Sequence, residues 1–448
     1  MRALLVAVLV LLSASARAQT GLVFNRTGSG ARAAGMANAF IAVSDDGTAA
    51  SWNPAGLAQL RLPELSIVNT TSGQTLTAEG FRTLDGLSTY TPTRSSYQDA
   101  YLDFASLALP VTIAGKPITF QGAWRRLYEL DFRSITSTTR EPLVPEAPPA
   151  TTFADNHDVV GSVDIVSLAT AIRVTPRLSV GGSFNFWRGD WTETANSSET
   201  PVSSGVLPSF TTTSQTNRVR GENLNLGLML TYPRWSIGLL HQMALGSDYS
   251  GRGQVTTSGV PGTREFPFTG ILHFPRAFGV GAAFRPAPRW TLALDVTRDE
   301  WRDAYVDVGQ GPESIFDGLP KESTSARDTT AVNAGAERLF VFDSHVIPLR
   351  FGVAWEPQGW SNPYTRDHAN FVMWAVGTGF NTNSLKLDAG FQMRHASFED
   401  GIEYSLATNP LLPDAVGQHS SREWRLKISL ILRLQDPDKL GGLVKKIF

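Results

Sequence analysis

Trp290-Thr291-Leu292-Ala293-Leu294-Asp295-Val296-Thr297 alternates without a break: the even positions are large and apolar, the odd ones small or polar. A period of two sends these sets to opposite faces of one extended strand. The pattern recurs at 178–186, 224–232, 349–355 and 385–393. In the last such segment Trp424, Leu426, Ile428, Leu430, Leu432 and Leu434 share one face, against Arg425, Lys427, Ser429 and Arg433 on the other. A soluble sandwich also alternates, so the connections decide. Short turns stand near Ala114-Gly115-Lys116, Thr175-Pro176, Pro233, Pro286-Ala287-Pro288, Phe342-Asp343-Ser344 and Asn381-Thr382-Asn383. Longer polar stretches fall between them, near 134–158, 191–216, 248–271, 304–329, 356–368 and 398–420. Strict alternation of short and long connections is what an up-and-down transmembrane barrel needs, and a sandwich has no cause to keep it. With a first strand near 63–70 the count reaches about fourteen, an even number. The expected fold is all-β, an antiparallel transmembrane β-barrel over 63–434 with both termini on the periplasmic side of an outer membrane.

Composition agrees. The 448 residues carry a formal net charge of −2, 42% hydrophobic residues and 40 glycines, which gives no basic field for nucleic acid. There is no cysteine, which excludes disulfides, thiolate metal sites and thiol nucleophiles. Residues 1–18 read as a signal peptide: a basic start, an apolar run, then Ala16-Arg17-Ala18. Gln19-Thr20-Gly21 follows, so lipid attachment at a cysteine is excluded. The aromatic residues Trp187, Trp235, Phe284, Trp290, Trp301, Trp355 and Trp424 lie near strand ends, where rings sit at membrane interfaces. Arg276 falls on the apolar parity of its strand and is expected near an interface. The seven histidines show no metal-ligand spacing, and no catalytic motif is present. The expectation is passage rather than reaction, with no enzyme activity, metal or cofactor.

Residues 19–62 do not alternate. They contain Ala39-Phe40-Ile41-Ala42-Val43-Ser44-Asp45-Asp46 and then Asn53-Pro54-Ala55-Gly56-Leu57, rich in small residues and turn signals. Some forty compact residues ahead of a wide barrel fit inside its lumen, as a hatch. Here the chain resembles the long-chain fatty-acid and aromatic-hydrocarbon transporter family of outer-membrane proteins. The hatch motif Asn53-Pro54-Ala55 carries the likeness, with 274–286 continuing through Trp290–Asp295 to Glu300-Trp301. The resemblance implies a fourteen-stranded barrel with an N-terminal hatch in which Asn53, Pro54, Ala55, Asp46 and Phe40 take part in gating. It also implies a sideways exit through a kink in the third strand, about 117–132, where Gly122 is the candidate.

A hydrophobic small molecule is the expected ligand, and the outer-membrane lipids and the barrel assembly machinery are the expected partners of a monomer. A fatty acid would call for an inward cation. Arg125, Arg173, Arg350 and Lys386 are candidates for its carboxylate, with Arg285, Arg394, Arg425 and Lys427 also on inward parity. An uncharged hydrocarbon would call for none. Two features depart from the family pattern or point elsewhere. The chain continues as a tail, 435–448, past the last alternating strand. The Gly-Ala-Arg-Ala-Ala-Gly-Met segment at 30–36 resembles a branch of barrels that shuttle exported proteins in the type IX secretion system, which leaves a shuttle as the alternative. A general porin is the third reading, and the hatch segment speaks against it.

Overall fold

The computed structural model describes residues 28–83, 85–202, 207–361, 367–402 and 415–434. The expected signal peptide, residues 19–27 of the expected hatch and the tail 435–448 lie outside these. Fourteen strands form the wall: β1 Glu64–Thr83, β2 Thr93–Ile113, β3 Lys116–Glu129 continued by Phe132–Pro142, β4 Thr151–Arg173, β5 Leu178–Pro201, β6 Ser209–Thr231, β7 Trp235–Gln242 continued by Leu245–Thr257, β8 Arg264–Phe274 continued by Ala277–Phe284, β9 Trp290–Asp299, β10 Thr329–Val341, β11 Val346–Pro357, β12 Asn370–Asn381, β13 Leu385–Ile402 and β14 Ala415–Arg433. Each pairs antiparallel with the next, and β14 closes on β1 from Glu64↔Arg433 to Thr83↔Ala415. Closure leaves no free sheet edge at the β1–β14 seam, the condition for a sheet that meets lipid.

All six expected short turns lie at one rim, such as Ala114-Gly115 between β2 and β3 and 382–384 between β12 and β13. The longer stretches meet at the opposite rim. Several of them are strand rather than loop: β5 and β6 stay paired out to Glu199↔Ser209, and β13 and β14 to Ile402↔Ala415. Their Thr, Ser and Asn residues satisfy a ladder as well as apolar ones do, and only the apolar face is lost there. Apolar alternation therefore marks the middle of each strand and not its length.

The faces divide as the alternation predicts. Leu292, Leu294, Val296, Leu349, Phe351, Val353 and Ile428 point outward and are exposed, whereas Asp295, Asn333, Arg350, Gln392 and Ser429 point inward and are buried. Trp235, Phe284, Trp290 and Trp355 are outward and exposed, as expected for a girdle. Trp187 and Trp301 are not: both are buried inside the barrel, Trp187 because it has the inward parity of β5 and Trp301 because its loop folds into the mouth. Arg276 interrupts β8 at the loop-side end of the outward apolar row Phe278, Val280 and Phe284, with its Nε 2.5 Å from Glu300 Oε2.

Candidate functional site

Residues 28–62 lie against the inward side chains of strands all around the ring. A short helix, Ala31–Gly35, and two 3-10 turns, Ala49–Ser51 and Pro54–Gln59, are nearly all buried. The wall satisfies the segment's backbone one group at a time. Ser429 Oγ accepts from Ala31 N at 2.6 Å, and one oxygen of Asp295 accepts from Phe40 N and Ile41 N at 2.6 and 2.7 Å. Asn333 donates to Ala37 O, Gln392 to Ala34 O, Ser236 to Ala42 O, and Ser106 and Gln121 both to Gly47 O. A buried irregular segment is tolerable only with such pairing. Phe40 meets Trp52 edge-on, with ring centres 5.9 Å apart.

Close contact with the wall comes from glycines that face one another across neighbouring strands: Gly181↔Gly227, Gly238↔Gly281, Gly335↔Gly352 and Gly377↔Gly390. Asn53-Pro54-Ala55 rests on Gly181, Gly227 and Gly238, and Ile41-Ala42 on Gly281. Asn53 Nδ2 donates to Ile41 O at 3.1 Å and to the wall carbonyl of Leu228 at 3.2 Å, while its Oδ1 accepts from Ala55 N and caps the turn that Pro54 begins. One side chain thus ties the motif to itself, to the preceding loop and to the wall.

Ion pairs add a second layer. Arg32 grips Glu337 with two nitrogens at 2.9 and 3.0 Å and reaches Asp45 at 2.5 Å. Arg350 bonds Glu337 at 2.7 Å and Asp388 at 2.8 Å. Arg173 donates to Ala58 O, and Lys427 lies 2.5 Å from Asp103. Burial pushes the Asp46 carboxyl up, but Lys386, Arg32 and two hydrogen bonds from Thr48 outweigh it and hold the group below its usual value of 3.8. A depressed carboxyl stabilises the folded segment above the usual value, and that contribution is lost as pH falls through the depressed one. The protection factors of the amides at 47–51, exchange rates taken relative to the intrinsic rate at each pH, are therefore expected to be unchanged between pH 7 and 5 and to fall below about pH 4. Asp46→Asn should lower this protection at neutral pH and remove this share of its acid dependence. Protection that stays flat to pH 3 in the parent protein would overturn the assignment.

The wall itself has a window. β2 and β3 pair only from Phe104↔Arg125 down to Ile113↔Lys116. Above that, Ser134 Oγ meets Ser95 Oγ at 2.9 Å and Thr138 meets Thr91, leaving 96–103 and 126–133 unladdered to each other. β3 slips register against β4 between Arg126 and Tyr128 and breaks at Leu130-Asp131. There Leu130 N donates to Gly161 O, and Asp131 accepts from Gly161 N, whose φ of +140° marks the bulge. Gly122 is not the bend: it faces outward in an unbroken ladder with Leu107 and Leu168.

Behind the window the lumen is apolar. Tyr128, Leu130, Val163 and Ile165 pack with Trp187, Phe274 and Trp301. Phe274 stacks on Trp187 at 5.5 Å and on Tyr128 at 6.2 Å. The rim of the window is acidic. Oxygens of Asp99, Glu129 and Asp131 lie within 4.8 Å of one another, the one metal-compatible group among the described residues. Arg126 holds Glu129 at 2.7 Å.

No protein-family model and no curated protein sequence matches the chain. Solved structures do. A FadL homologue of Pseudomonas aeruginosa superposes with a TM-score of 0.67 at 13% identity, over 92% of this chain and 100% of that one. The toluene transporter TodX of P. putida gives 0.60 at 12% identity, and the toluene transporter TbuX of Ralstonia pickettii 0.56 at 14%, each over 92% of this chain and all of the other. At such identities the likeness speaks for architecture, and the chain shares the fold of these FadL-like channels.

Proposed function

We propose that the protein is an outer-membrane channel for passive uptake of hydrophobic small molecules, with 28–62 as its hatch, the long connections outside the cell and the termini in the periplasm. The window between β2 and β3, backed by an aromatic lining, carries this reading. A water-filled porin has polar residues at that depth, whereas here a ligand approaching the window from the lumen meets rings and aliphatic chains before it reaches the acidic rim. The structural neighbours described as toluene transporters support it.

The inward cations favour an uncharged hydrocarbon over a fatty acid. Arg350, Arg394 and Lys427 are committed to carboxylates, Arg425 lies 3.7 Å from Glu423, and Arg173 and Arg285 donate to Ala58 O and Ser236 Oγ. Arg125 is also engaged, and Lys386 offsets the charge of Asp46. Freeing any of the buried ones for a ligand carboxylate would leave its partner unpaired.

The test is uptake of labelled toluene and labelled oleate by cells carrying the parent barrel or Leu130→Glu, which puts a carboxylate in the apolar lining. Toluene uptake is expected to fall by at least about tenfold in a barrel that still migrates as folded. Unchanged uptake would sink the route. Absence of uptake in the parent, with an exported protein co-purifying, would favour the shuttle.

A further inference from the structure

On the outward face the apolar row of β14 ends at Trp424, opposite Gly73 of β1. Its indole lies over Gly73 so closely that a Cβ there would fall 2.5 Å from Nε1. On the loop side of this ring a hollow of about 450 Å³ is lined by Thr75, Thr77, Arg94, Ser420 and Arg422, with Glu79 at its far end. The register places Arg422 opposite Thr75, and Ser420 and Arg94 on either side of Thr77. The two arginines are thus two strands and two residues apart, about 12 Å between Cα atoms, a span that two such side chains close around one anion.

Both arginines are exposed, and neither forms a salt bridge among the described residues, Glu79 included. Arg218, Arg220, Arg252, Arg276 and Arg298 each hold a carboxylate within 4.0 Å, whereas Arg82, Arg133, Arg188, Arg234 and Arg264 form no salt bridge among the described residues either; Arg94 and Arg422 differ from these in facing one hollow. Glu423 also borders the hollow, but it is buried and bonded to Arg394, so two cations stand against Glu79 alone, in a hollow that also offers three hydroxyl groups. Guanidinium forks match phosphate oxygens, and a tryptophan at this height sits where acyl chains meet headgroups. Directly below, Ile428 and Leu430 on β14 and Ile67 on β1 are exposed and apolar.

We propose that this hollow binds the phosphate of an anionic lipid headgroup in the leaflet around the loop rim, its acyl chains lying on the apolar face below Trp424. The proposal rests on the outer-membrane placement argued above and not on the transport route. Free phosphate shares the headgroup chemistry but makes no use of the apolar face.

The experiment is native mass spectrometry of the full chain, offered phosphatidic acid or phosphatidylcholine with identical acyl chains. The parent protein is expected to retain phosphatidic acid at least about tenfold more tightly, and Arg94→Gln/Arg422→Gln to reduce that preference below about twofold. Arg94→Lys/Arg422→Lys should keep part of it, and Arg218→Gln/Arg220→Gln all of it. Each variant is scored after gel mobility shows a closed barrel. Equal retention by the parent and the glutamine pair overturns the site. Displacement of the lipid by millimolar inorganic phosphate overturns the lipid as its occupant. Toluene uptake measured alongside separates failure of this site from failure of the channel reading.

Discussion

Gly227→Val is expected to unseat the luminal segment 28–62, the proposed hatch, and turn a barrel of little conductance into a conducting one. A Cβ at this position would stand 2.1 Å from Asn53 Oδ1 and 2.9 Å from both Ala55 N and Pro54 Cδ. The neighbouring strand offers no relief, because a Cβ at Gly181 would already lie 2.5 Å from the Pro54 carbonyl carbon. The motif must therefore lift, and Asn53 then gives up its bonds to Ile41 O and Leu228 O. Overpacking together with two lost hydrogen bonds costs about 3–5 kcal/mol. That burden falls on the luminal segment, since the β5–β6 ladder on either side of Gly227 is made by backbone atoms. In planar bilayers the parent protein should show little ionic conductance and the valine variant discrete open steps, with exchange at 55–58 at least about tenfold faster. Gly122→Val is the control, since nothing lies within 4 Å of a Cβ there. A valine barrel as quiet as the parent would mean that the motif does not bear on the wall at this point.

Gly227 also shows where sequence reading stops. Alternation and turn parity report which face a residue takes, so the barrel, its strand number and its inward cations were legible. The same parity puts Trp187 inside, on the inward set of β5. A glycine in a strand reads by itself only as a weak point, which is how Gly122 came to be the candidate kink. The meaning of Gly227 comes from facing Gly181, 46 positions earlier, and this needs the register. The ion pairs were hidden for the same reason: Arg350 looked like a ligand contact because its partner Asp388 is 38 positions away, while Arg32 meets Glu337 across 305. Alternation does not show the window, because a register slip and a bulge at Gly161 leave the pattern of each strand almost intact; only the resemblance pointed to 117–132, the stretch that holds the slip and the break.

Glu337→Ala is expected to loosen the same segment from its opposite side, with the wall left standing. Glu337 is the only carboxylate that Arg32 and Arg350 share among the described residues, and its side chain is 4% exposed. Removing one partner of a buried ion pair costs about 3–5 kcal/mol, because the remaining charge stays buried without its counterion. The two arginines do not suffer equally. Arg350 keeps Asp388, and both lie on wall strands held by continuous ladders to their neighbours. Arg32 keeps Asp45, which is 43% exposed, and Asp46 at 3.9 Å, both in the segment itself, so among the described residues nothing charged then ties the helix Ala31–Gly35 to the wall. Exchange at 31–39 should rise by at least about tenfold while β10 and β11 keep their protection and the protein its folded gel mobility. Arg32→Met with Glu337→Met removes both charges and fills the space, and is expected to restore much of the protection, since a buried pair replaced together is often neutral. If Glu337→Ala alone leaves the helix as protected as in the parent, the glycine floor and the backbone hydrogen bonds hold the segment without the ion pairs. Opening would then have to begin at Asn53.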